Sequence, residues 1–216
     1  MATFKNLDEL KGKIGDLVFY NLNGKPVVRR KSGFSKEGFE NNPNYKKVKE
    51  NSSEFGHCSK SGKALRVALE PFIGDYEDKY LYQKFAKVMT QIKDMDMVSE
   101  KGKRRIEIGI QNPEALKLLT QFQFGKYEIV ADKVVSGNTM FTRNVTFNKK
   151  LNVNFAELIT LKPDFHTLIV ESKSQILPVS KNNSLDFDFQ FDENSLLLYF
   201  LILKKDNNIL FAGFIF

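Results

Sequence analysis

The chain has 216 residues, 42% of them apolar and 27% charged, with a net charge of +7 and a pI near 9.3. That apolar content supports a packed core and excludes wholesale disorder, and a single cysteine excludes a disulfide framework or a multi-cysteine zinc site. The positive excess is segregated: residues 1–66 carry a net +7, residues 67–105 +1 and residues 106–216 −1. A basic binding face on a nearly neutral body is the expectation.

Residues 1–10 read as a short lead-in without an apolar signal core. No run approaches the roughly 18 apolar residues of a membrane span, so a soluble, cytoplasmic chain without a membrane partner is expected. Lys11–Lys31 (KGKIGDLVFYNLNGKPVVRRK) reads as a basic β-hairpin turning on Asn23-Gly24, because a type I′ turn needs positive φ at both central residues. Gly12 and Gly15 allow tight bends around Ile14. Pro26 cannot donate to a ladder and belongs on an edge. The arms are too short to be stable alone.

Ser32–Asn42 reads as a loop. Asn42-Pro43 then signals a helix start, with Asn as cap and Pro in the first turn. A helix over 43–70 follows, breaking near Gly56–Gly62, with Tyr45, Val48, Phe55, Leu65, Leu69 and Phe72 as its apolar stripe. Asp75–Asp96 forms a second helix through Leu81, Phe85, Val88, Ile92 and Met95, with Met89, Met95 and Met97 as packing residues. Ser99–Arg105 is a basic turn, and Ile106, Ile108 and Ile110 alternate as in a strand. Asn112-Pro113 starts a short helix to about 121.

From Lys126 onward the pattern is β. Leu151, Val153 and Phe155 alternate, as do Leu185, Phe187, Phe189 and Phe191. Leu196–Leu203 reads as a buried strand, and Ile209–Phe216 as a last strand paired inside a sheet. The fold class is α+β: an N-terminal basic β-hairpin, two helices and a C-terminal antiparallel β-sandwich-like body of seven or eight strands. The regions are 1–42 (arm and loop), 43–111 (helical) and 112–216 (β).

No phosphate-loop, dinucleotide or nucleophile-elbow motif is present; Gly33-Phe34-Ser35-Lys36 lacks the second glycine of a phosphate loop. The pairs Asp94/Asp96 and Asp186/Asp188 read as surface carboxylates. His57-Cys58 is no nucleophilic pair, since adjacent helical residues point about 100° apart. No catalytic residue, metal site, cofactor or small-molecule substrate is therefore assigned, and the chain is expected not to be an enzyme. The candidate nucleic-acid-binding residues are cations: Lys11, Lys13, Lys25, Arg29, Arg30 and Lys31 on the hairpin; Lys36 in the loop; Lys46, Lys47, Lys49, Lys60, Lys63 and Arg66 on the first helix; and Lys103, Arg104 and Arg105 in the basic turn. Such cations, with Ser hydroxyls and open Gly backbone, are the groups that meet phosphates. Phe19, Tyr20, Phe34, Phe39 and Tyr45 add rings that stack on unpaired bases.

The hairpin KGKIGDLVFYNLNGKPVVRRK and the helix NSSEFGHCSKSGKALRVAL resemble the opening of a group of uncharacterised Bacteroidota proteins, which share a "GKxGxxVxYxxxGKxxxR" hairpin and a Ser/Gly/Lys-rich helix. The resemblance covers residues 11–70 and brings no catalytic residue. It implies a lineage-specific ribosomal component.

The functional expectation is a structural RNA-binding protein, ribosomal or ribosome-associated, docking on rRNA beside neighbouring proteins of the assembly. The alternative is a structural subunit of a virion or contractile-injection-type assembly, with the hairpin as an inter-subunit arm.

Overall fold

The computed structural model describes residues 11–31, 36–74, 76–179, 183–192 and 194–216, and of residues 36 and 37 the backbone alone. Its elements are β1 (Gly12–Ile14), β2 (Leu17–Leu22), β3 (Lys25–Arg30), α1 (Lys36–Asn41), α2 (Lys46–Ile73), α3 (Leu81–Asp94), α4 (Ile106–Gly109), α5 (Pro113–Thr120), β4 (Val134–Asn138), β5 (Thr142–Phe147), β6 (Phe155–Asp164), β7 (Ile169–Pro178), β8 (Ser184–Asp188), β9 (Leu198–Lys205) and β10 (Asn208–Ile215). The fold is α+β. The chain divides into two compact units, one up to Val48 and one from Lys49 onward.

In the first unit the hairpin turns at Asn23 (φ +52°) and Gly24 (φ +82°), the backbone that a type I′ turn requires. Gly15 (φ +58°) makes a second tight turn and adds β1, so the arm is a three-stranded antiparallel sheet, not a two-stranded hairpin. Pro26 lies on the edge strand β3. The expected loop at 36–41 is a short helix. Asn42 caps the next turn, its side chain accepting from Asn44 N–H at 2.9 Å.

The second unit has three layers. A four-stranded sheet, ordered β10-β9-β6-β7, lies between the helices and a three-stranded sheet, ordered β4-β5-β8. Strand β9 shows why. Leu198, Phe200 and Ile202 join the helical core, while Tyr199, Leu201 and Leu203 join the core between the sheets. A strand buried on both faces reads as a continuous apolar run. On the helical side Phe124 is the hub, with ring centroids 4.9–6.2 Å from Tyr76, Phe85, Phe122, Phe200 and Phe214. Between the sheets, the buried Arg143 guanidinium lies 3.9 Å over the Tyr199 ring and donates to Asn138 and Ser136. The helices and strands thus share cores, with no boundary at 111/112.

Several expectations change. Ile106, Ile108 and Ile110 are not a strand. Ile106 and Ile108 lie in α4 and Ile110 caps its end, so that Ile106 and Ile110, one turn apart, are both buried. Helix α2 is unbroken through Gly56 and Gly62 and continues past Pro71. Its inner face is Glu54, Cys58, Ser61, Gly62, Leu65, Leu69 and Ile73, whereas Val48 and Phe55 are exposed. Small residues hold the inner positions because α3 crosses closely: a Cβ on Gly62 would stand 3.1 Å from Met89 Cγ. Helix α3 starts at Leu81 rather than 75, and Asp75 lies outside the described residues. Met89 is buried, but Met97 is 88% exposed. Strand β6 starts only at Phe155, so Leu151 and Val153 precede it. Strand β10 is an edge strand, paired along its length with β9 and touched on its outer side by one parallel bridge from Glu128.

Two glycines separate packing from propensity. A Cβ on Gly109 would overlap the carbonyl oxygen of Ile92, while one on Gly56 meets nothing within 4 Å. Gly109→Ala is therefore expected to cost about 3 kcal/mol, and Gly56→Ala to stabilise by roughly 0.5–1 kcal/mol. Urea unfolding of both variants checks this, and equal effects would contradict the packing described.

Candidate nucleic-acid interface

The sheet of the first unit sorts its side chains by strand alternation. Lys13, Val18 and Arg29 stand in register across the three strands, with Tyr20 and Val27, then Leu22 and Lys25, on the same face. The other face holds Ile14, Leu17, Phe19, Val28 and Arg30. Lys11, Lys13, Lys25, Arg29, Arg30 and Lys31 are all exposed, and none has a carboxylate within 4 Å among the described residues. Lys46 and Lys47 are likewise exposed. Phe39 and Tyr45 face each other at 5.9 Å. The Lys36 side chain and Phe34 lie outside the described residues.

On α2 the steps of three and four that bury one face bring Lys49, Ser53, Gly56, Lys60 and Lys63 onto the opposite stripe. Ser53, Lys60 and Lys63 are exposed. Arg66 lies to the side, half-buried, its Nε without a partner.

The basic turn divides. Glu54, 2% exposed, accepts from Lys93 Nζ (2.8 Å), Arg104 Nε (2.9 Å) and NH2 (2.7 Å), and Gly102 N–H (2.6 Å). Asp94 also pairs with Lys93 and Arg104. The cluster holds two carboxylates against two cations. The Arg104 guanidinium chiefly holds the Glu54 carboxyl down to about 2, ahead of the opposing effect of burial. Burial acts against the Lys93 ammonium, but the hydrogen bonds it donates to Asp94 and Glu54 hold its pKa above the usual value. Arg104 is thus removed from the candidate interface, because its charge is neutralised inside the protein. Lys103 pairs with Glu100 on the surface. Arg105 keeps no acidic partner among the described residues. Its backbone N–H is held by Asp96, a buried carboxylate that also accepts from Val98 and Ser99. Asp96, expected at the surface, is the loop's anchor.

Arg105 then meets α2 across a cleft of about 400 Å³. Ser52, Ser53, Gly56, His57 and Lys60 line one side, and Phe165, His166 and Leu168, from the turn between β6 and β7, line another. That turn is shaped by Asp164, whose Oδ1 accepts from the N–H groups of His166 (2.8 Å) and Thr167 (3.1 Å), with Leu168 at φ +62°. His57 Nε2 accepts weakly from Ile106 N–H and lies 3.4 Å from Glu107 Oε2. Burial pushes the imidazole below its usual pKa, Glu107 opposes this and Arg105 adds to it. Cys58 points into the core, and burial raises its thiol to about 11, so it is no nucleophile at neutral pH.

The sequence reading brought out Lys60 and Arg105 separately and missed that they meet both histidines of the chain. It also missed the Glu54 cluster. The one local signal was an acid in the middle of a basic helix.

No protein-family model matches the chain, no curated protein matches its sequence and no solved structure matches its fold. No helix among the described residues is long and apolar enough to cross a membrane.

Removing the Glu54 charge leaves buried cations short of a partner, so Glu54→Gln should cost about 3 kcal/mol at pH 7. The folded-state pKa is depressed, so this stabilisation is whole above about pH 4.5 and drains as pH falls toward about 2. Urea unfolding at pH 7 and pH 3 should show the gap between wild type and variant narrowing at pH 3. An unchanged gap would show that the carboxylate is not held by charge.

Proposed function

We propose that the chain is a non-enzymatic structural RNA-binding protein, a lineage-specific ribosomal or ribosome-associated component that docks in the cytoplasm on rRNA beside neighbouring proteins. One contrast carries this reading. Several cations of the body, among them Lys93, Arg104, Lys162 and Lys204, pair with carboxylates, while the sheet's cations and Lys60 and Lys63 of α2 stand exposed. Among the described residues Lys13, Lys25, Arg29, Lys60 and Lys63 have no acidic partner. Surfaces that keep charge in solvent without internal use fit a polyanion. Tyr20 among Lys13, Lys25 and Arg29 adds a ring for an unpaired base. Without a base-reading motif, recognition would rest on shape and phosphates.

One observation favours the second reading, a structural subunit of a virion or injection-type assembly. Ile14, Leu17 and Val28 are exposed on one face of the arm's sheet. Such a face suits burial against a neighbouring subunit.

Binding of structured RNA should fall steeply with salt. Arg29→Glu/Arg30→Glu/Lys31→Glu should lower the slope of log K against log salt by roughly 0.7–0.9 for each phosphate that the variant no longer neutralises. Co-sedimentation with ribosomal subunits at low and high salt reads the same property in lysate. Salt-independent binding, or undiminished binding by the triple variant, refutes the RNA reading. A homo-oligomer that survives nuclease treatment supports the second.

A further inference from the structure

We propose that the cleft between α2 and the β6–β7 turn is a binding site for the terminal phosphate of an RNA strand, a phosphomonoester. Its macromolecule rests on the RNA-binding reading, and its chemistry rests on the cleft alone.

Lys60 from α2 and Arg105 from the loop converge on one space, with the Ser52 and Ser53 hydroxyls beside them. Lys60 is exposed, and neither cation has an acidic partner among the described residues. Arg105 is placed rather than loose, because Asp96 fixes its backbone. Gly56 opens the floor: nothing stands within 4 Å of where its Cβ would be, so a ligand can approach the helix backbone. Neither nearby carboxylate pairs with the two cations: Asp164 is occupied by two backbone N–H groups, and Glu107, whose buried Oε2 has no hydrogen-bond partner, lies 3.4 Å from His57 Nε2.

The donor set distinguishes a strand end from a strand interior. A backbone diester offers one charge and two free oxygens, which a single lysine meets. A monoester carries close to two charges and three acceptor oxygens. Two cations and two hydroxyls match the latter. The volume, about 400 Å³, lies within the range of small-ligand sites, suiting one nucleotide rather than a running strand. The exposed His166 at the rim offers a ring on which the attached base can stack.

His57 and His166 are the chain's only histidines, so the imidazole signals in a proton–carbon NMR spectrum of the untagged protein report this cleft and nothing else. Matched short oligoribonucleotides ending in a 5′-phosphate, a 3′-phosphate or hydroxyls, together with AMP and inorganic phosphate, are the probes. The expected result is that one phosphorylated end shifts both histidines and binds at least about tenfold tighter than the hydroxyl-ended strand, the effect of one charge-assisted contact. Lys60→Ala and Arg105→Ala should each abolish that preference while leaving the amide spectrum folded. Arg29→Glu/Arg30→Glu/Lys31→Glu should weaken all strands alike. Equal binding of all ends, or unmoved histidines, overturns the terminal-phosphate site and leaves the RNA reading standing. AMP binding as tightly as phosphorylated RNA overturns the assignment to a strand end and, with no RNA bound elsewhere, the RNA reading too.

Discussion

The buried carboxylate of Glu54 is the constraint from which the basic turn and the cleft beside it follow. It sits in the first third of α2 and gathers Lys93 from α3 with Gly102 and Arg104 from the connecting loop. A lone buried charge would be intolerable, and a matched set with its hydrogen bonds satisfied is stable only in one geometry. The loop is therefore held at two points, Glu54 and Asp96, and Arg105 emerges where it does because both are in place. Withdrawing Arg104 inward and releasing Arg105 outward are two results of one arrangement.

This clamp works because the helical layer rests on a rigid floor. The central sheet offers apolar side chains on both faces, so the helices pack on a surface already braced from behind by the three-stranded sheet. Phe124, reached from both layers, ties the helices to Phe200 and Phe214. The cleft inherits that rigidity, since α2 and the β6–β7 turn, which line it, are both anchored in the same core.

Features decided by neighbours in the chain were legible in the sequence. Asn23-Gly24 dictated its turn, Asn112-Pro113 its helix start, Leu185 and Phe187 their shared face, and the run Leu196–Leu203 a buried strand, found at Leu198–Lys205. Features decided by partners 39 to 50 residues away were not, the Glu54 cluster foremost. Ile106 and Ile110 fit both periods, because a spacing of four satisfies a strand's alternation and a helix turn alike. The apolar stripe drawn through Val48 and Phe55 failed for a related reason. Where α3 crosses at Gly62, space rather than hydrophobicity chooses the inner residue. In the candidate site each basic residue could be named, but a list of cations cannot show which are neutralised at home.

The doubly buried central sheet also dictates an order of assembly. Phe200, Ile202, Ala212 and Phe214, on which the helices rest, come from β9 and β10, which are made after α2 and α3. While the chain grows, α2 and α3 have no floor, and their inner faces stay open to water. The body cannot close around its core one element at a time. It must wait for β9 and β10 and then fold as a whole, so the cleft beside α2 takes shape only after these later strands are in place.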